Sequence, residues 1–125
     1  MRVVKQFDDE GCGLACTAMA AATKYRIVRA RAFPDGAVVV TSTKRLRAIM
    51  GEFGVSLGNR LISLRDKHPR TLAFDALLKV NPRQNGKEWH WVIWDHERQL
   101  ILDPRRPPYK RYRKVSYVRL FQPEH

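Results

Sequence analysis

Apolar and polar positions change period near the middle of the chain. Residues 11–24, GCGLACTAMAAATK, are rich in Ala, Leu and Met, which lose little on entering a helix. Cys12, Cys16, Met19 and Thr23 fall on one helical stripe, and the alanines predict a helix packed closely against something. Asp8, Asp9 and Glu10 precede it, where negative charge suits a helix N-terminus. Residues 25–32 read as a basic link and residues 33–36, FPDG, as a turn. Residues 37–40, AVVV, form a short apolar segment of open state. Thr41, Ser42 and Thr43 offer an N-cap for a second helix over 44–53, where Leu46, Ile49, Met50 and Phe53 recur at helical spacing before Gly54. A third short helix is predicted within 55–64.

Beyond residue 70 the runs are strand-like. Residues 71–80 suit a buried strand closed by the turn residues 81–86. Residues 88–94 and 99–103 form a hairpin, and 114–121 a last strand. Helices first and strands after predict an α+β class, with N-terminal helices packed on a C-terminal antiparallel sheet.

The length of 125 residues favours one domain over 1–125, and 44% apolar residues can fill one core. No apolar run is long enough for a membrane helix, and residues 1–9 carry charges where a signal peptide needs its apolar stretch. A cytoplasmic protein without membrane contact is therefore expected. Two cysteines are too few for a disulfide scaffold, and a four-residue helical spacing holds them too far apart to bridge each other.

The hairpin brings chemistry into register. Whether its loop is 96–97 or 95–98, paired positions sum to 193, so His90 stands opposite Asp103 on one face. Such a carboxylate accepts one ring N–H and leaves the other nitrogen for proton transfer. Cys12, at the first turn of the first helix, feels the positive helix end that favours thiolate, and its amide is available to an oxyanion. Gly11 and Gly13 beside it allow close backbone approach, a substrate's included. Nucleophile, base and orienting carboxylate together are the equipment of acyl transfer.

At these residues the chain resembles a known family. Residues 6–19, QFDDEGCGLACTAM, are similar to the nucleophile segment of papain-like cysteine peptidases, most of all the domain that cleaves double-glycine leaders from bacteriocin precursors. HWVIW from His90 and LILDP at 100–104 resemble that family's closing segments, so the likeness spans roughly residues 5–105. The resemblance implies that Cys12 attacks the carbonyl, His90 shuttles the proton, Asp103 orients His90 and the Gln6 amide donates to the oxyanion. It implies a peptide or protein substrate and no cofactor. Gly11 departs from the pattern, since the family usually has Asp before the cysteine.

Cys16, one turn further into the helix, is expected in the core. Trp89, Trp91 and Trp94 are expected to serve sheet packing. Cys12, Cys16, His90 and His96 match no structural zinc spacing, so no metal is expected. The charge of +12 has a local focus in residues 105–114, RRPPYKRYRK. Its cations, Arg105, Arg106, Lys110, Arg111, Arg113 and Lys114, could meet an acidic protein or nucleic-acid phosphates. The rival readings are a non-catalytic basic binding module on the same scaffold, and a papain-like effector or toxin.

Overall fold

A computed structural model describes residues 1–124 of the chain. Among these, three α-helices precede six β-strands: α1 (Cys12–Ala21), α2 (Tyr25–Ala32), α3 (Thr43–Glu52), β1 (Ser56–Leu57), β2 (Ile62–Ser63), β3 (Ala76–Arg83), β4 (Glu88–Asp95), β5 (Leu100–Leu102) and β6 (Ser116–Phe121). The strands form one antiparallel sheet in the order β1-β6-β3-β4-β5, and β2 shares with β1 the edge of β6 that faces away from β3. The α+β class read from the sequence is the class observed. No described helix is long and apolar enough to cross a membrane.

The alanine-rich α1 is buried from Cys12 through Ala20, and its small residues admit β4 on one side and α2 and α3 on the other. It stops at Ala22, which takes a left-handed backbone (φ 55°), earlier than the predicted Lys24. Alternation along β4 divides the core. Trp91 and Ile93 pack with Cys12, Cys16, Met19 and Leu46 on the helix side, whereas Val92 and Trp94 pack with Leu78, Val80 and Leu72 on the other. Each large side chain fully buried in this way contributes roughly 1.5–3 kcal/mol. The cap of α3 is as predicted: the Ser42 hydroxyl accepts the Arg45 N–H at 3.1 Å, and Gly54 follows the helix with φ +78°.

Several elements differ from the sequence reading. Residues 25–32 are a helix, not a link, because Tyr25 and Val28, one turn apart, bury against α1 while the arginines stay outside. Residues 55–64 hold two-residue strands, not a helix, because the backbone there pairs with β6. Residues 69–71 are a 3₁₀ turn, so β3 starts at Ala76. It runs through the predicted turn as far as Arg83 by means of an irregularity after Val80, where Asn81 has φ 51°. The Asn81 side chain joins that bend to the distant basic stretch, donating to the Arg111 carbonyl and accepting from the Arg113 N–H.

The hairpin register is also shifted. Pairs 93–102, 94–101 and 95–100 sum to 195, giving a loop of residues 96–99 that ends with Gln99 at φ 55°. The acid at its start sets this length, since Asp95 Oδ1 accepts the Arg98 N–H at 3.2 Å. His90 and Asp103 are therefore diagonal neighbours, not directly opposed. A shift of two residues keeps both on one face, so the pairing survives an error in register.

Candidate active site

The short strand β5 makes the site. It ends at Leu102, and Pro104, which has no N–H to offer a ladder, follows Asp103. Residues 90–92 of β4 thus pair with β3 on one edge and have no strand on the other. Two groups occupy that open edge. From the helix side comes Cys12, whose sulfur accepts the Trp91 backbone N–H at 3.4 Å. From the strand end comes Asp103, whose Oδ1 lies 2.7 Å from His90 Nε2. A longer β5 would exclude both.

An ionised carboxylate only accepts, so His90 Nε2 carries the hydrogen in this pair and Nδ1 is the nitrogen left for proton transfer. Burial alone would lower the His90 pKa. The hydrogen bond to Asp103 and the nearness of the Cys12 and Asp103 side chains outweigh it and raise the ring to about 9. Burial would likewise push the Asp103 carboxyl up. The bonds from His90 and from the Arg105 and Tyr109 N–H groups hold it below the ordinary carboxylate range.

These values give a signed prediction for stability. A histidine that titrates near 6.5 when unfolded and near 9 when folded contributes stability below pH 6.5 that disappears as pH rises through 9. The loss is about 2–4 kcal/mol. The midpoint of urea unfolding should fall between pH 6.5 and 9 more steeply in the wild type than in His90→Gln. Parallel pH profiles would remove the coupling.

Asp103, 4% exposed, does more than orient a ring. Its Oδ1 also accepts the Arg105 N–H (2.9 Å), and its Oδ2 accepts the Tyr109 N–H (3.0 Å) and the Tyr112 hydroxyl (2.9 Å). The segment after β5 thereby wraps around its carboxylate, and the Tyr109 ring meets the His90 ring edge-on at 5.2 Å. Lys5 donates to the Asp103 and Arg105 carbonyls, and Gln6 N–H to the Pro104 carbonyl, so the first residues of the chain are tied to the same segment. Tyr109, Tyr112 and Lys5 were not foreseen. The signal available was two tyrosines within nine residues of Asp103, which the surrounding cations made look like nucleic-acid contacts.

Cys12 is 8% exposed and begins α1 without a side-chain cap, and its amide N–H has no partner among the described residues. The acidic lead-in does not cap this helix. Asp8 instead accepts from the Tyr25 hydroxyl at 2.6 Å and from Arg29 Nε at 3.1 Å, which clasps the loop before Cys12 to α2. The two glycines beside Cys12 are also explained differently from the expectation. A Cβ at Gly11 would overlap the Tyr25 hydroxyl, and one at Gly13 the Thr41 hydroxyl, so they admit the protein's own side chains and not a substrate backbone. Cys16 is fully buried, and burial above all pushes its thiol well up, with the charges of Cys12 and Asp103 adding to this.

Gln6 reaches the site but not in the role expected of it. Both hydrogens of its amide are engaged, Nε2 donating to the Asp8 carbonyl (3.1 Å) and the Asp9 carbonyl (3.0 Å), while Oε1 is buried without a partner. In this conformation Gln6 braces its own loop and has no free donor for an oxyanion. The free donor at the sulfur is the Cys12 amide.

Cys12, His90 and Gln6 line one cleft of about 570 Å³. Asp8, Asp9, Glu10 and Glu88 line it together with Arg83, Arg105 and Arg106. Phe7, 74% exposed, lies at the rim beneath Arg106, whose guanidinium is 5.2 Å from the ring centre. Trp89 lines the cleft as well and packs edge-on against buried Trp91 at 6.0 Å. Among the described residues no group of three His, Cys, Asp or Glu side chains converges on a point where a metal ion could sit. His96 is in the hairpin loop, bonded to Gln99. Compared with known proteins, the chain matches no family model and no curated protein.

Proposed function

We propose that this chain is a thiol hydrolase of the cysteine-peptidase kind on a papain-like scaffold, cleaving a peptide or related amide bond. The observation that carries the reading is the His90 Nε2–Asp103 Oδ1 bond of 2.7 Å, with Cys12 and His90 lining the same cleft. Gln6, Cys12, His90 and Asp103 also follow the chain order of the family the sequence resembles. Free thiols at Cys12 and Cys16 suit a reducing compartment, so the cytoplasm is the location we propose.

In this mechanism the Cys12 thiolate adds to the carbonyl carbon, and the oxyanion forms beside the Cys12 N–H at the positive end of α1. His90, protonated at neutral pH, gives its Nδ1 proton to the leaving nitrogen as the C–N bond breaks. The amine departs and a thioester remains. Neutral His90 then takes a proton from water, the hydroxide adds to the thioester, and the C–S bond breaks to release the acid. Asp103 keeps Nε2–H in place and stabilises the imidazolium, so Nδ1 is the atom that exchanges the proton.

Alkylation by iodoacetamide at pH 7 tests the activation directly. Cys12 should react at least tenfold faster than free cysteine, the advantage should vanish in His90→Ala, and wild type should cut a proteome-derived peptide library. Reaction of Cys12 at the rate of a free thiol, with no cleavage, would sink the reading.

A further inference from the structure

The cleft at Cys12 is one end of a longer concave track. A second concavity of about 570 Å³ adjoins it and shares Arg83 and Tyr109 with it. A third, of about 500 Å³, shares Lys110, Arg111, Arg113 and Lys114 with the second and adds Arg65 and Lys67. From Arg83, at the edge of the catalytic cleft, onward the track carries seven Lys and Arg side chains, and Asp66 is the one acid among the described residues that line the second and third concavities. All seven side chains are exposed, and none of them is in an ion pair among the described residues. The seven lie together along the path that leads to the sulfur. The backbone there is also held in shape, by the Asn81 bonds to residues 111 and 113 and by the Tyr112 bond to Asp103.

We infer that the substrate is a polypeptide carrying a run of Asp and Glu on one side of the bond that is cut, and that residues 110–114 hold that run while the scissile carbonyl lies at Cys12. The inference rests on the hydrolase reading and names its substrate class. Charge alone would equally suit a nucleic acid. The track, however, ends at a thiol–imidazole pair, which forms an acyl intermediate at a carbonyl carbon, and a phosphodiester offers none. A molecule that follows the track into the site is therefore one with amide bonds. Seven cations in a groove raise the local concentration of an acidic chain and speed its arrival, both in a salt-dependent way.

Three measurements on the full chain test this. Cleavage sites in a proteome-derived peptide library should show Asp and Glu enriched at a constant distance on one side of the cut. That enrichment should disappear in the triple variant Lys110→Gln, Arg111→Gln, Arg113→Gln. A fluorescein-labelled decaglutamate peptide should bind the wild type about tenfold more tightly than the triple variant at low salt, and more weakly as salt rises. Cleavage without acidic enrichment overturns the substrate class and leaves the hydrolase standing, and so does decaglutamate binding indifferent to the triple substitution. Displacement of the peptide by a single-stranded oligonucleotide of equal charge at a tenfold lower concentration assigns the track to nucleic acid and also overturns it. Absence of any Cys12-dependent cleavage, with Cys12 alkylated no faster than free cysteine, is a different result: the hydrolase reading fails and the substrate class falls with it.

Discussion

Cys12→Ala abolishes acyl-enzyme formation and lowers hydrolysis by at least about a thousandfold, while the fold stays within about 1 kcal/mol of wild type. The small stability effect follows from position. Cys12 sits at the first turn of α1, at the mouth of the cleft, and its removal costs one sulfur-accepted bond from Trp91 N–H. Cys16→Ala does the reverse. Its sulfur is wholly enclosed among Cys12, Met19, Trp91 and their neighbours, so the substitution opens a void and costs about 1–2 kcal/mol, with Cys12 still able to form the thioester. Mass spectrometry of the trapped acyl-enzyme and denaturant unfolding of both variants check the contrast. A stable, acylated Cys12→Ala protein would move the nucleophile elsewhere.

Asp103→Ala carries the largest expected loss of stability, about 3–5 kcal/mol, because four donors lose one acceptor together. The buried His90 ring and the half-buried Arg105 and Tyr109 amides and Tyr112 hydroxyl would all be left without their partner. Asp103→Asn separates the two duties of this side chain. Its oxygen can still accept from His90 and Arg105, but its amide nitrogen would face the donors of Tyr109 and Tyr112. Folding is weakened less than in the alanine variant, and turnover still falls by about a hundredfold or more as the imidazolium loses its counter-charge. Urea unfolding and peptide-library cleavage read the two effects. A loss under 1 kcal/mol in Asp103→Ala would contradict the network.

How much of this could be read from the sequence depended on how local each signal was. The cap at Ser42, the glycine after α3 and the alanine-rich first helix are written in adjacent residues, and the structure has them. The meeting of His90 with Asp103 was legible because strand faces repeat every two residues, so an error of two positions left both on the same side. What failed depended on distant partners. Residues 25–32 look like a charged link until Tyr25 and Val28 are placed against α1. Residues 56–57 and 62–63 are strands only because β6, more than fifty residues later, lies beside them. Gln6 was assigned by likeness to a family, and no rule of spacing could say that its amide hydrogens would turn to the carbonyls of Asp8 and Asp9. Tyr109 and Tyr112 were hidden by the cations around them.

The carboxylate that steadies the imidazole also anchors the returning tail of the chain, and this has an evolutionary consequence. A descendant that abandoned turnover could discard its sulfur at little structural expense, but not the acid at the end of β5. In such lineages the imidazole–carboxylate couple would persist as a relic of architecture. Its presence alone would then be a poor marker of a working catalyst, and the residue at position 12 a far better one.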